Sequence, residues 1–206
     1  PEPGQTLRLT LDLDVQRAAS EALNGKRGAV VAIDTISGGI LSFVSTPGFD
    51  PNQFVRGISR PDYQTLISSP DQPLFNRALR GRYPPGSTVK PFLGLAGLVL
   101  DEGRAIHTTY CPGWFQLEGQ SHKYRCWKRH GHGNLDLDLA ITRSCDVYFY
   151  RLANVLGIDA MHDFLSDFSF GRRTGINLPG ENPGLMPSRE WKRAKLDQPW
   201  YPGETV

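Results

Sequence analysis

The sequence predicts an α/β fold of the α+β type, with an antiparallel sheet, a buried central helix and a mostly helical subdomain. Three observations carry this reading. Residues 28–33 (GAVVAI) and 40–44 (ILSFV) are short apolar runs on either side of the turn-rich 34–39, which reads as a buried hairpin of central strands. Residues 87–100 are apolar nearly all round, the mark of a helix buried on most sides. Residues 135–143 and 146–156 carry two further helical patterns in succession.

In chain order, residues 6–13 alternate apolar and polar side chains. Asp14 then stands where it can cap a helix whose Val15, Ala18, Ala19, Ala22 and Leu23 recur at helical spacing. Asn24-Gly25 ends that helix, which is expected to pack on the hairpin. Residues 47–73 are rich in Pro, Asp, Asn and Ser and read as a surface excursion with one short helix near 63–67 and no chemistry. Pro91 lacks an N–H and would break an interior turn, so the helix over 87–100 has to start at or just before Ser87. Residues 105–134 are irregular and aromatic. Ser144-Cys145-Asp146 marks the junction of the next two helices, Gly157 closes the second, and 159–168 form a third. No internal repeat or low-complexity tract is present.

The 22 glycines and 16 prolines exceed the ordinary combined usage of about 12%, yet no stretch is monotonous. The chain is therefore loop-rich and globular, neither disordered nor collagen-like. A net charge of +2 is too balanced to grip a phosphate backbone, so no nucleic-acid partner is expected. The longest apolar run, 92–100, falls far short of the roughly 20 residues that span a bilayer. Residues 1–20 show no signal-peptide pattern, so any targeting or anchoring segment is expected outside this chain.

Chemistry concentrates in Pro85-Gly86-Ser87-Thr88-Val89-Lys90. A hydroxyl and an amine three residues apart on a helix project from one face within reach of each other. Serine is a weak nucleophile until a base takes its proton, and lysine serves as that base when a desolvated setting favours its neutral form. The helix N-terminus adds N–H groups and a positive dipole end that favour charge on an acyl oxygen, and Gly86 lets the backbone approach closely. The competing reading makes Ser87 an N-cap and Lys90 a solvated first-turn residue. Context weighs against it, because a second hydroxyl motif, Ser144-Cys145-Asp146, follows at a helix junction.

These residues resemble the penicilloyl serine transferases, and within them the elongation-specific class B penicillin-binding proteins, whose signature joins S-x-x-K to S-D-N and K-T-G. The resemblance runs through GQTLRLTLDLDVQ, GAVVAID, GGILSFVSTPGFDPN, RYPPGSTVKP and TGINLPGENPGLMPSREWK. It implies the penicillin-binding, beta-lactamase-like transpeptidase fold over 1–206. Within that fold, 1–46 and part of the C-terminal region belong to the sheet subdomain, and 75–170 form the helical subdomain. It implies a D-Ala-D-Ala transpeptidase in which Ser87 is acylated by peptidoglycan stem peptides and by beta-lactams. Lys90 would take the serine proton, Ser144 would relay a proton to the leaving amine, and Asp146, where many relatives carry Asn, would contact the substrate amide. It further implies an inner-membrane anchor, a periplasmic catalytic domain and a glycosyltransferase partner of the SEDS type. Arg173-Thr174-Gly175 imitates the third motif only 29 residues after Ser144, in a stretch that looks structural, so the chain is expected to stop before the K-[ST]-G strand. Two other functions share these residues: a serine beta-lactamase, which needs a deacylating base, and a sensor that is acylated without turnover. The cell-division branch of class B also shares S-x-x-K, but the cysteine and histidine cluster and Asp146 argue against it.

Cys111, Cys126, His132 and Cys145 fall in one window and make a complete donor set for tetrahedral zinc. The same cysteines could instead form one disulfide plus a spare thiol, or remain unpaired and buried. The family resemblance favours a structural zinc beside the active site. His122 and His130 are rival ligands, whereas His107 and His162 read as surface or packing residues. Trp114, Tyr124 and Trp127 either shape a substrate cleft or pack locally.

Overall fold

A computed structural model describes residues 4–100 and 107–206. The chain divides into two compact units, Pro1–Arg82 with Asn177–Asn182, and Tyr83–Ile176 with Pro183–Val206.

In the first unit, α1 (Leu13–Leu23) starts at Asp12, whose carboxylate accepts the N–H groups of Asp14 and Val15. The cap is therefore Asp12 and not Asp14, because Asp12 is the last residue with extended backbone and Asp14 already lies inside the first turn. Asn24 closes the helix in the left-handed conformation. The alternation over 6–13 yields no strand, and Leu7 and Leu9 stay exposed.

The hairpin forms as expected, with β1 (Gly28–Ile33) antiparallel to β2 (Ile40–Thr46) in the register Gly28↔Thr46 to Ala32↔Ser42. Among the described residues the sheet has two strands, and Val31 and Ile33 remain exposed. The helix meets β2 through a polar side chain. Gln16 accepts the Phe43 N–H at 2.7 Å and donates to the Phe43 carbonyl at 3.2 Å, so its amide pairs with the strand edge as a neighbouring peptide would.

The excursion holds two helices rather than one, α2 (Asn52–Val55) and α3 (Arg60–Ser68), the latter capped by Ser59. The short α4 (Arg77–Arg80) follows, and its buried Arg77 donates to the carbonyls of Asp71, Gln72 and Phe75.

The second unit opens with a 3-10 turn, Gly86–Val89, that runs into α5 (Lys90–Leu100). Pro91 explains the tightening. It cannot donate to the Ser87 carbonyl, and the Lys90 N–H takes that acceptor instead. The helix is buried on one face only. Lys90, Gly94, Ala96 and Gly97 are buried, while Leu95, Val99 and Leu100 are exposed. The small residues matter here, since a Cβ on Gly94 would stand 3.0 Å from the Leu137 side chain.

Two short ladders occupy the stretch read as irregular, of which 105 and 106 lie outside the described residues. β3 (Thr109–Cys111) pairs with β6 (Gly133–Leu135), and β4 (Trp114–Phe115) pairs with β5 (Tyr124–Arg125). Then come α6 (Leu137–Thr142) and α7 (Asp146–Asp167), which breaks at Gly157 (φ 76°) into the two helices the sequence predicts. The last elements are α8 (Arg189–Leu196) and a 3-10 turn, Pro202–Glu204, joined by the ion pair of buried Lys192 with Glu204. The core of this unit gathers Cys111, Cys126, Leu135, Ala140, Cys145, Val147, Tyr148, Phe149 and Leu152. No described helix is long and apolar enough to cross a membrane.

Candidate active site and thiol cluster

Ser87 is the second residue of the 3-10 turn and is exposed. Its hydroxyl makes no hydrogen bond among the described residues, and the turn has no side-chain cap, so the group is not spent on capping. Gly86 precedes it with φ 54° in open space. Glycine is thus required there by the left-handed backbone and not, as the sequence suggests, by close approach.

Lys90, one turn on, is only 8% exposed. Its ammonium group donates to the Ser144 carbonyl at 3.0 Å, to Ser144 Oγ at 3.1 Å and to Asp146 Oδ1 at 2.6 Å. The Phe149 ring lies 5.5 Å from Nζ. A desolvated lysine with three oxygen acceptors is the opposite of a solvated first-turn residue.

The Ser144 backbone explains how these acceptors converge. Ser144 N–H bonds the Ile141 carbonyl at 3.0 Å and Cys145 N–H bonds the Ala140 carbonyl at 2.9 Å. This is a Schellman ending for α6 with Ser144 at the left-handed position usually held by glycine, φ 49°. A side chain in that conformation costs about 1 kcal/mol or more, a strain typical of functional sites. The turn aims both Ser144 oxygens at Lys90 and leaves Cys145 to begin α7, whose first residue is Asp146.

Asp146 is held from two sides. Lys90 takes Oδ1, and the Trp127 backbone N–H donates to Oδ2 at 2.9 Å. The Trp127 indole Nε1–H is shared between the carbonyls of Arg143 (3.1 Å) and Ser144 (3.0 Å). Trp127 thus clamps the strained turn from outside while staying 64% exposed. The sequence signals it only as an aromatic beside Cys126. Trp114 carries the Lys123 ammonium 3.9 Å from its ring centre, and Tyr124 packs among Phe115 and Tyr150, so neither reaches the Ser144 turn.

Behind that turn, Cys111, Cys126, His132 and Cys145 are all buried, with their donor atoms within 4.8 Å of one another. Every cysteine is a free thiol, so the disulfide alternative is not formed. Each comes from a different place: the end of β3, the residue after β5, the residue before β6 and the start of α7. Gly113 and Gly131 make the fold-back possible, since a Cβ on either would collide with backbone atoms of Arg129 or Cys111. His132 Nδ1 stands 3.6 Å from Cys111 Sγ and 3.5 Å from Cys126 Sγ. Tetrahedral zinc with its usual bond lengths sets sulfur–nitrogen edges of about 3.6 Å and sulfur–sulfur edges of about 3.8 Å, so the donor set fits after slight contraction.

Burial, and secondarily the positive charges of Lys128 and Arg143, pull His132 below its usual range and keep the imidazole neutral. Burial chiefly, then the neighbouring Cys111 and Cys126 thiols, push Cys145 up to about 12. Thiolates become stable in such a pocket when a cation is present to hold them. Of the rival ligands, His122 packs edge-on against Tyr124 and His130 is exposed outside the cluster. His162 bonds the Pro187 carbonyl at 2.9 Å, a packing role. Arg173-Thr174-Gly175 lies on no strand.

Residues 28–200 match the family model described as the penicillin binding protein transpeptidase domain. Peptidoglycan D,D-transpeptidase MrdA of Acinetobacter baumannii is 49% identical over 209 aligned residues, covering 100% of this chain and 31% of that protein. Among solved structures, Pseudomonas aeruginosa PBP2 in complex with WCK 5153 superposes with a TM-score of 0.94 at 52% identity, covering 100% of this chain and 45% of that one. The PBP2 of Helicobacter pylori in complex with MreC gives 0.90 at 37% identity, covering 95% of this chain and 37% of that one. The chain spans about a third of the curated relative's length.

Proposed function

The chain belongs to the penicillin-binding protein transpeptidase domain family, and from that premise we propose that it carries the acylation machinery of a peptidoglycan cross-linking serine D,D-transpeptidase. The observation that carries this reading is the buried Lys90 ammonium group, bonded to both oxygens of Ser144 and to Asp146, one turn from an exposed, uncommitted Ser87 hydroxyl.

Ser87 Oγ attacks the carbonyl between two terminal D-alanines of a stem peptide. The Oγ–C bond forms, the hydroxyl proton passes to Lys90 Nζ, and the C–N bond breaks. Ser144 Oγ, 3.1 Å from Nζ, hands its proton to the leaving D-alanine amine and takes back from Lys90 the proton that came from Ser87. The acyl group then moves to the side-chain amine of a second stem. In the resting site all three ammonium protons are donated to oxygens, so Lys90 accepts the Ser87 proton once one of the three has left Nζ. Asp146 orients the amine, and a substrate amide reaches its carboxylate through the lone pairs that Lys90 and Trp127 leave free. A beta-lactam acylates the same serine.

Cys111, Cys126, Cys145 and His132 Nδ1 would hold one zinc ion. The metal supplies charge that stabilises the three thiolates and ties β3, β5, β6 and α7 at one point, a structural part. Cys126 leads directly into Trp127, and Cys145 follows Ser144, so the cluster braces the strained turn from behind. The full protein is read as anchored in the inner membrane with this region in the periplasm. Its partners are a SEDS-type glycosyltransferase and, by analogy with the Helicobacter pylori complex, a protein of the MreC type.

Intact mass spectrometry after denaturation, with a penicillin and then with an acceptor amine, tests the reading. A stable adduct that transfers to the amine is the expected result. Rapid release to water without an acceptor makes the chain a beta-lactamase, and an adduct that no amine removes makes it a sensor. Trp127→Phe keeps the ring beside His132 but deletes the indole N–H shared by Arg143 and Ser144. A net loss of about 1 kcal/mol of positioning energy predicts penicillin acylation roughly fivefold slower, measured by stopped-flow, with little change in the thermal midpoint.

A further inference from the structure

The face of α7 turned away from Lys90 carries a second recess. Asp146 and Phe149 point to Lys90, and at about 100° per residue Arg151 lies roughly 140° and 160° around the helix from them. A cavity of about 450 Å³ opens there, whose lining includes Thr108, Thr109, Phe115, Arg151, Leu152 and Val155. Phe115 and Arg151 also bound an adjoining recess of about 270 Å³ that adds Tyr110 and Trp114. The larger cavity has the size of a small-ligand pocket.

Two groups in its wall lack partners. Arg151 makes no ion pair or hydrogen bond among the described residues. Tyr148 is 2% exposed, and its buried hydroxyl has no hydrogen-bond partner. The Tyr148 oxygen is closed off from solvent, whereas the exposed Arg151 guanidinium group is an unpaired donor that a ligand can reach. Among the described residues the lining of both recesses contains no Asp or Glu, which disfavours a cation. One unpaired guanidinium group, in a wall that also carries His107, Thr108, Thr109 and Asn154, suits a single carboxylate with peptide groups behind it better than a polyanion.

We propose that this recess binds the carboxylate end of a short peptide, with Arg151 clamping the carboxylate and Phe115, Leu152 and Val155 covering small methyl side chains. The Thr108 and Thr109 hydroxyls then meet the peptide groups. The choice of a peptidoglycan stem among such peptides rests on the function proposed above. The site is a second foothold for substrate, on the opposite face of the helix that carries Asp146.

A methyl-labelled Ser87→Ala chain titrated with a soluble peptide ending in D-Ala-D-Ala, and with the same peptide as its C-terminal amide, tests the proposal. Saturating shifts at the Leu152 and Val155 methyls are expected. Arg151→Gln should weaken that binding at least fivefold, the amide should be weaker by a similar factor, and the two effects should not add. Val155→Trp, which fills the cavity without touching charge, should abolish the shifts. Unchanged affinity in Arg151→Gln, equal binding of the amide, or shifts confined to residues around Ser144 and Lys90 would overturn it. Penicillin labelling of the unmodified chain separates the two readings. An adduct without the Leu152 and Val155 shifts sinks only this site, whereas Arg151-dependent binding without an adduct sinks only the transpeptidase reading.

Discussion

Ser87→Ala should remove the denaturation-stable penicillin adduct entirely, a loss in acylation on the order of 10⁴-fold or more, as for other single nucleophile deletions. The same substitution should leave the fold alone. Ser87 is exposed, caps nothing and makes no hydrogen bond among the described residues, so the change belongs with surface substitutions of about 0.5 kcal/mol or less. For a chain of 206 residues that is a shift of about 2 °C or less in the thermal midpoint. The contrast makes the experiment clean, because neither Lys90 nor Asp146 can be cut without structural cost. Lys90 and Asp146 are a largely buried pair, and removing either partner leaves the other charge uncompensated. Intact mass and thermal melts on the same samples decide the matter. An adduct that persists in Ser87→Ala would reassign the nucleophile.

Removing the metal should be the largest stability effect. With free zinc about a thousandfold above its dissociation constant, binding adds roughly 4 kcal/mol, which a chelator would take away. In a chain of 206 residues this corresponds to a fall of about 8–16 °C in the thermal midpoint. Native mass spectrometry should show one zinc per chain, lost in Cys126→Ser. Acylation should slow along with stability, because Cys126 precedes the Trp127 clamp and Cys145 follows the Ser144 turn. A native mass without metal, together with a melt indifferent to chelator, would leave three buried thiols and no cofactor.

The local parts of this site were legible without coordinates. The spacing of Ser87 and Lys90, the Pro91 that fixes where the helix begins, the Ser144-Cys145-Asp146 junction and the Gly157 break all follow from rules that act within one or two helical turns. Errors arose where neighbours distant in sequence decide. The extent of the buried face of α5 depends on Leu137, which packs on Gly94. The apolar content of the two hairpin strands likewise says nothing about how many strands flank them. Asp12 displaced Asp14 as the cap because backbone conformation, and not the choice among acidic residues, sets the boundary.

What the sequence determined by itself is the chemistry on offer: a nucleophile and an amine one turn apart, a second hydroxyl at a helix junction, and four soft donors in one window. What only the tertiary structure decided is their acquaintance. Lys90 meets Ser144 and Asp146 across 54 and 56 residues, Trp127 reaches the same turn with its indole, and the four cluster ligands arrive from four separate elements. Periodicity records which side of an element is apolar. It does not record which other element will lie there, because that is settled by the packing of whole faces and by the few backbone turns, here at Ser144, Gly113 and Gly131, that let distant segments close on one another.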